Sequence, residues 1–337
     1  AGTRKFGEGG DFVTAPEISP LFGRVIARQC AGVLRNVPDG SVLEFGAGSG
    51  RLALDVLRTL EELDAVPAEY RILEVSADLR ERQERLLHEE VPGLASRIRW
   101  LDRMPDTHRG IVLANEVLDA LPVERFMRRS DGVYQLRVVD EDGEFVFVDE
   151  PAPDVLAKAL DSIERDIGER LPDNYISEVS LAAPAWLGDV AQMLHHGMIL
   201  LFDYGVSRRE YYAPDRSEGW LRCHFRHRAH SDPLILTGIQ DLTAWVDFSA
   251  IAEAAVSSGL DILGYVSQSQ FLIAGGIEAE LHELAELPLE SQLQTAARIK
   301  ILTLPGEMGE NVKCIGLARG EVATPPAFDS ADRTHTL

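Results

Sequence analysis

Three cysteines in 337 residues, Cys30, Cys223 and Cys314, are too few and too widely spaced for a disulfide framework or a zinc site, and they point to a reducing cytoplasm. Positive charge is also scarce: 33 Lys and Arg stand against 55 Asp and Glu, a formal net charge of −22. A nucleic-acid-binding face needs a basic footprint, so that class is set aside, and basic partners are favoured. A solvated acidic face is the competing meaning of the same charge. No apolar run reaches the length of a membrane span, and no internal repeat is evident. The opening residues, Ala1-Gly2-Thr3-Arg4-Lys5, carry neither an apolar signal region nor an initiator Met, which reads as a trimmed chain. What is abundant is apolar material, 45% of the sequence, ample for one large α/β domain or a core domain with a smaller companion.

The organising stretch runs from Ser41 to Arg51. A short apolar strand (Val42, Leu43, Phe45) enters a turn with glycines at alternate positions, Gly46, Gly48 and Gly50, around Ala47 and Ser49, and a helix-patterned run starts at Leu52. Such glycines let the backbone take positive φ and let a ligand come closer than a Cβ permits. Strand, turn and helix make the first half of a nucleotide-type βαβ unit, although an ordinary tight turn has the same composition. A dinucleotide fingerprint places its third glycine one residue later, where Arg51 stands. Glu44, at the end of the strand, repels a pyrophosphate and attracts a cation. S-adenosylmethionine (SAM) carries an ammonium and a sulfonium and no phosphate, so the turn suits SAM better than NAD.

Further acids fall at strand ends. The strand over 70–73 runs into Glu74 and Val75, with Glu74 24 residues beyond Gly50, where a carboxylate accepts bonds from ribose hydroxyls. A solvated strand-end acid is the plain alternative. The strand over 97–101 ends at Asp102, a weak candidate for contact with a base edge. The strand over 110–114 leads to Asn115 and Glu116, which should face the same crevice as Gly46. Glu116 and Asp119 are three apart, and a helical turn starting there places them on one face. Helix N-terminal acids acting on the dipole are the competing reading. The strand over 198–202 ends in Asp203, another acid aimed at the crevice.

Five segments are expected. Residues 1–35 form a polar loop and a helix over 21–34 that cover the site, a plain surface lead-in being the alternative; residues 36–125 are the cofactor-binding half of the core. Residues 126–195 are an insertion, a β-hairpin followed by helices over 155–170 and 181–195. Residues 196–320 complete the core and carry a long irregular loop at 207–246 that shapes a substrate site or an interface. Helices over 249–259, 277–287 and 289–303 and strands over 261–266 and 312–318 fall in this part, and residues 321–337 are a flexible tail. His224, His227 and His230 lack the mixed Cys/His spacing of a zinc motif, so no metal is expected.

The blocks at 9–18, Glu44 to Gly50, Ala114 to Pro122, Phe202 to Gly205, Asp241 to Phe248 and Leu304 to Gly309 together resemble the MidA family of class I SAM-dependent methyltransferases. Where this chain has Trp245, that family commonly has His. The resemblance implies a doubly wound, Rossmann-like seven-stranded sheet with an inserted hairpin and helices, and a few tens of residues ahead of the first block. Its mitochondrial members assist respiratory complex I assembly by symmetric dimethylation of a protein arginine. Carried over by motif position, Glu44, Gly46, Ala47, Gly48 and Gly50 hold the methionine part of SAM, and Glu74 its ribose. Asn115 and Glu116 line the site, and Thr14, Pro16 and Glu17 form a covering loop. Glu116, Asp119 and Asp203 are the candidates for turning a guanidinium and stabilising its charge. The expected partner is a basic protein substrate, with a homodimer left open. A small-molecule methyltransferase and a non-catalytic SAM-binding assembly factor are the alternatives.

Overall fold

A computed structural model of the chain describes residues 14–226, 228–284 and 288–337. Residues 7–13 of the expected covering loop, His227, and residues 285–287 of the helix expected to reach Leu287 lie outside these.

The described chain begins with α1 (Ala15–Ile18) and α2 (Pro20–Leu34), and the Ser19 hydroxyl between them accepts from the Leu21 N–H at 3.3 Å. The first half of the core follows as β1 (Ser41–Phe45), α3 (Arg51–Glu62), β2 (Tyr70–Leu73), α4 (Ala77–Glu90), β3 (Ile98–Leu101) and β4 (His108–Asn115). Helix α3 packs close on α2 because Gly23 has no Cβ: one placed there would lie 2.6 Å from Asp55 Cβ. β1 is buried along its whole length, as a parallel strand covered on both faces must be.

An inserted unit comes next: β5 (Glu124–Arg129), β6 (Gly132–Glu141), β7 (Glu144–Pro151), α5 (Asp154–Ile167) and β8 (Tyr175–Val179). The expected hairpin is present, turning at Asp142 and Gly143 with φ of 55° and 88°. It belongs to a larger antiparallel sheet, β7-β6-β5-β8, closed by α5 through a bidentate Arg128–Glu164 pair at 2.9 and 3.2 Å. The second half of the core comprises α6 (Ala182–Met193), β9 (Leu194–Val206), α7 (Arg208–Tyr211), β10 (Leu221–Phe225), β11 (Arg228–His230), β12 (Asp241–Ala244), β13 (Val246–Asp247), α8 (Phe248–Ser257), β14 (Asp261–Ser267), α9 (Gln268–Ala274), α10 (Ile277–Leu284), α11 (Leu289–Thr303), α12 (Met308–Asn311) and β15 (Val312–Arg319).

The central sheet has the order β14-β15-β9-β4-β1-β2-β3, with β13 added at the end of β9. Its strands run parallel except β15, which is antiparallel to both neighbours. β1 pairs with β2 on one side and β4 on the other, so the winding reverses at β1 and leaves a crevice outside the carboxyl ends of β1 and β4.

Two expectations fail. Residues 207–246 are not an irregular loop, because β10, β11 and β12 pair into a small antiparallel sheet. The tail is not flexible: Phe328 is 4% exposed, and its ring lies on β14 and β15 where Gly264 and Gly316 leave room, since a Cβ on Gly316 would sit 2.5 Å from it. The Tyr265 N–H donates to Asp332 at 2.8 Å, and the Arg333 N–H donates back to the Tyr265 carbonyl at 2.7 Å. Phe328→Ala should therefore destabilise the chain by about 3–5 kcal/mol, measured by denaturant unfolding; a loss below about 1 kcal/mol would show the tail to be loosely held.

Candidate functional site

The reversal at β1 opens onto a cleft of about 880 Å³. Its floor is the glycine turn, where Gly46, Gly48 and Gly50 take φ of 63°, 55° and 85°, values that side-chain-bearing residues rarely adopt. Gly46, Ala47 and Gly48 line the cleft. Gly50 does not: it caps α3, and a Cβ there would meet Gln83 at 3.2 Å, so this glycine fits the turn against α4.

Gln83 was invisible to sequence reasoning, because it reads as one more polar residue on a charged helix. It is fully buried, and its Nε2 donates to the Gly48 carbonyl at 2.8 Å and to Glu74 Oε2 at 3.1 Å. Its Oε1 accepts from the Trp100 indole at 3.0 Å. One amide thus fixes the turn and the β2-end carboxylate together. The other Glu74 oxygen accepts from the Ser76 N–H at 2.9 Å. Val75 also lines the cleft and is 92% exposed, a large apolar side chain left uncovered. Asp102 does not line the cleft, because Arg80 on α4 holds it at the surface at 2.7 Å.

Glu44 forms part of the wall, buried, with the Tyr70 hydroxyl donating to its Oε2 at 2.7 Å. Burial pushes its carboxyl up to about 7, the Tyr70 hydrogen bond pulls the other way, and the charge of Glu74 adds to the rise.

On the β4 side, Asn115 and Glu116 face the cleft as expected, and Asp119 lines it too. No helix starts at Glu116, the condition on which the two acids would share a helical face. Glu116 takes φ of 54° and gives its N–H to the Phe202 carbonyl at 2.8 Å. Burial and the charge of Asp119 push the Glu116 carboxyl up to about 8, against hydrogen bonds from Asn115 and from the Ala15 N–H. Asp119 is raised to about 7, first by burial and then by Asp241.

Asp203 is corrected from a crevice-facing acid to a buried anchor. It is 1% exposed, and its Oδ2 accepts from the N–H groups of Val117, Leu118 and Asp119 at 3.1, 2.8 and 3.4 Å. The backbone between β4 and β5 comes to Asp203, so its carboxylate is spent before the cleft begins.

Over the cleft lies α1. Thr14, Pro16 and Glu17 line it, and the Ser49 hydroxyl donates to Glu17, tying this cover to the glycine turn. Sequence reasoning left out Trp186, Asp241 and Thr243, which also line the cleft. The alternation of β12 is the signal that could have found the last two. Among the described residues no group of three or more His, Cys, Asp or Glu is placed to hold a metal ion.

A family model describing S-adenosyl-L-methionine-dependent methyltransferases matches residues 25–266. The chain is 30% identical to the Danio rerio protein named protein arginine methyltransferase NDUFAF7, mitochondrial, over 90% of this chain and 75% of that protein. The Homo sapiens protein of the same name is 29% identical, with 92% and 74% covered. A solved structure of a COG1565 superfamily member from Burkholderia thailandensis, bound to S-adenosyl-homocysteine, is 42% identical, covers 100% of this chain and 87% of its own, and has a TM-score of 0.92. The chain belongs to this methyltransferase family.

The resemblance to MidA, the class I fold, the enzymatic activity and SAM as cofactor therefore stand. The cleft fits the cofactor: its floor is bare backbone, Val75 offers an uncovered apolar face, and Asn115 Oδ1 is buried with no partner among the described residues. The expected cytoplasmic location is corrected, since these curated relatives are named mitochondrial. Replacing Gln83 with Leu strips hydrogen bonds from Gly48, Glu74 and Trp100 at once. Calorimetry should show SAM affinity falling about tenfold with the far-UV spectrum unchanged, and an unchanged affinity would remove Gln83 from the site.

Proposed function

We propose that this methyltransferase methylates an arginine guanidinium of a basic protein. The observation that carries the reading is the pair of carboxylates, Glu116 and Asp119, facing the same cleft as the glycine turn. The arginine methyltransferase names of the curated relatives support it, as does a net charge of −22, which favours a basic partner.

In this reading the glycine turn and Glu44 hold the methionine end of SAM, Glu74 accepts from the ribose hydroxyls, and Val75 lies against the adenine. Asn115 Oδ1 accepts from the cofactor's ammonium. Thr14, Pro16 and Glu17 close over it and exclude water. The bound cofactor supplies an electrophilic methyl group on a positively charged sulfur. Glu116 and Asp119 orient the guanidinium so that one nitrogen points along the line of displacement. As the methyl group passed to that nitrogen, Glu116 would accept the proton that the nitrogen gives up. With its carboxyl raised to about 8, Glu116 is a better proton acceptor than an ordinary glutamate once ionised.

The test is transfer of labelled methyl from SAM to cell lysate. Label should fall on a protein band and emerge as methylarginine on hydrolysis, with Glu116→Gln slowing transfer by about 10²-fold or more. Label confined to small molecules would replace the reading with a small-molecule methyltransferase. No label despite tight SAM binding would leave an assembly factor.

A further inference from the structure

Glu44 lies near the end of β1, 2% exposed, and lines the same cleft as the glycine turn. Tyr70 opens β2, the parallel neighbour, level with Val42, two residues before Glu44. Residues two apart on a strand share a face, so Tyr70 and Glu44 stand on the same side of the sheet. The Tyr70 ring is wholly buried in the core cluster that holds Val42, Ile72 and, from α2, Cys30. Its hydroxyl reaches along the sheet and donates to Glu44 Oε2 at 2.7 Å.

A phenylalanine ring would fill the same core, so the hydroxyl is what Tyr70 adds, and it is spent on an acid of the cleft. A lysine or arginine in its place would neutralise Glu44 and compete with a cationic ligand. A neutral O–H instead stabilises the carboxylate as an anion and leaves its charge uncancelled. Burial and the charge of Glu44 push the Tyr70 hydroxyl well above the ordinary phenol range, so it stays a donor at neutral pH. Resting on the cofactor placement proposed above, we infer that Tyr70 is a positioning residue: it keeps Glu44 ionised and presents Oε1 to the positively charged methionine end of SAM. Other groups face this pair. Glu74, just beyond β2, adds its charge to the rise of Glu44, and Cys30, near Tyr70 on α2, is pushed up to about 12 by burial and stays a neutral thiol. Glu17 on α1, Arg51 at the start of α3, and Glu116 and Asp119 beyond β4 line the same cleft. All of these are unchanged in the comparison that follows.

The test is the pH profile of S-adenosylhomocysteine affinity, measured by calorimetry on the whole chain from about pH 5.5 to about pH 8.5. This ligand keeps the ammonium of the methionine end and gives no turnover. The unaltered chain should bind more tightly as pH rises, because Glu44 must be ionised to take a cation. Tyr70→Phe should move the midpoint of that rise up by about one pH unit, weakening binding roughly five- to tenfold near pH 6.5 and less than about twofold near pH 8.5. Replacing Tyr70 with 3-fluorotyrosine, a stronger donor of nearly the same shape, should move the midpoint down, and it tests the inference even if Tyr70→Phe fails to fold. In a Glu44→Gln background neither change should shift the profile. A midpoint that neither replacement moves, a loss that is equal at every pH, or a shift that persists in the Glu44→Gln background makes Tyr70 a packing residue and overturns the inference while the role of Glu44 stands. If Glu44→Gln binds as tightly as the unaltered chain and with the same profile, the placement of the methionine end on Glu44 falls, and the inference falls with it.

Discussion

Three backbone N–H groups, those of Val117, Leu118 and Asp119, converge on one carboxylate oxygen of Asp203, and the shape of the site depends on that convergence. A chain leaving a buried parallel strand has amides to satisfy, and winding into a helix would satisfy them locally. Here a carboxylate from the neighbouring β9 takes them instead, and the Phe202 carbonyl takes the Glu116 N–H. The segment stays open, Glu116 adopts a left-handed conformation, and both Glu116 and Asp119 are turned into the cleft. Burial and the nearby Asp119 and Glu116 push the Asp203 carboxyl up, while the backbone amides of Leu118 and Asp119 hold it down.

Around that anchor the site gathers acids that water would otherwise keep apart. Glu44 and Asp119 are raised to about 7 and Glu116 to about 8, in each case chiefly by burial. Acids raised in this way stabilise the fold fully below the ordinary carboxylate range and lose that contribution as pH climbs through 7 to 8. The cleft is thus a place where ionisation is costly and a cation is welcome. The cover is built on the same logic: α1 reaches Glu116 through the Ala15 N–H and the glycine turn through Glu17.

Much of this was legible in the sequence, for identifiable reasons. A turn of alternate glycines states its own backbone requirement, and strand-end acids follow from a period of two and a buried run. Glu44, Glu74, Asn115, Glu116 and Asp119 could be read that way, and the structure brings all of them to one cleft. What escaped depends on long-range contact. Gln83 looks like any polar helical residue until the turn, β2 and β3 meet on it. Asp203 sits at a strand end like the others, but a neighbouring segment reaches its carboxylate first. The tail is poor in apolar residues, and its order comes from Phe328 finding a patch left flat by Gly264 and Gly316, far away in sequence. The β10–β12 sheet was hidden because its strands are only three to five residues long.

In the function proposed above, raised, cleft-lining carboxylates receive a positively charged sulfur, and proton linkage reads that directly. Glu44 and Glu116, near 7 and 8, hold protons for part of the time at pH 7 and must give them up beside a sulfonium. Calorimetric titration with SAM at pH 7, in two buffers of different ionisation enthalpy, should therefore show net proton release. S-adenosylhomocysteine, which lacks the charge on sulfur, should release fewer protons. Binding of both ligands with no proton release, or with equal release, would contradict the claim.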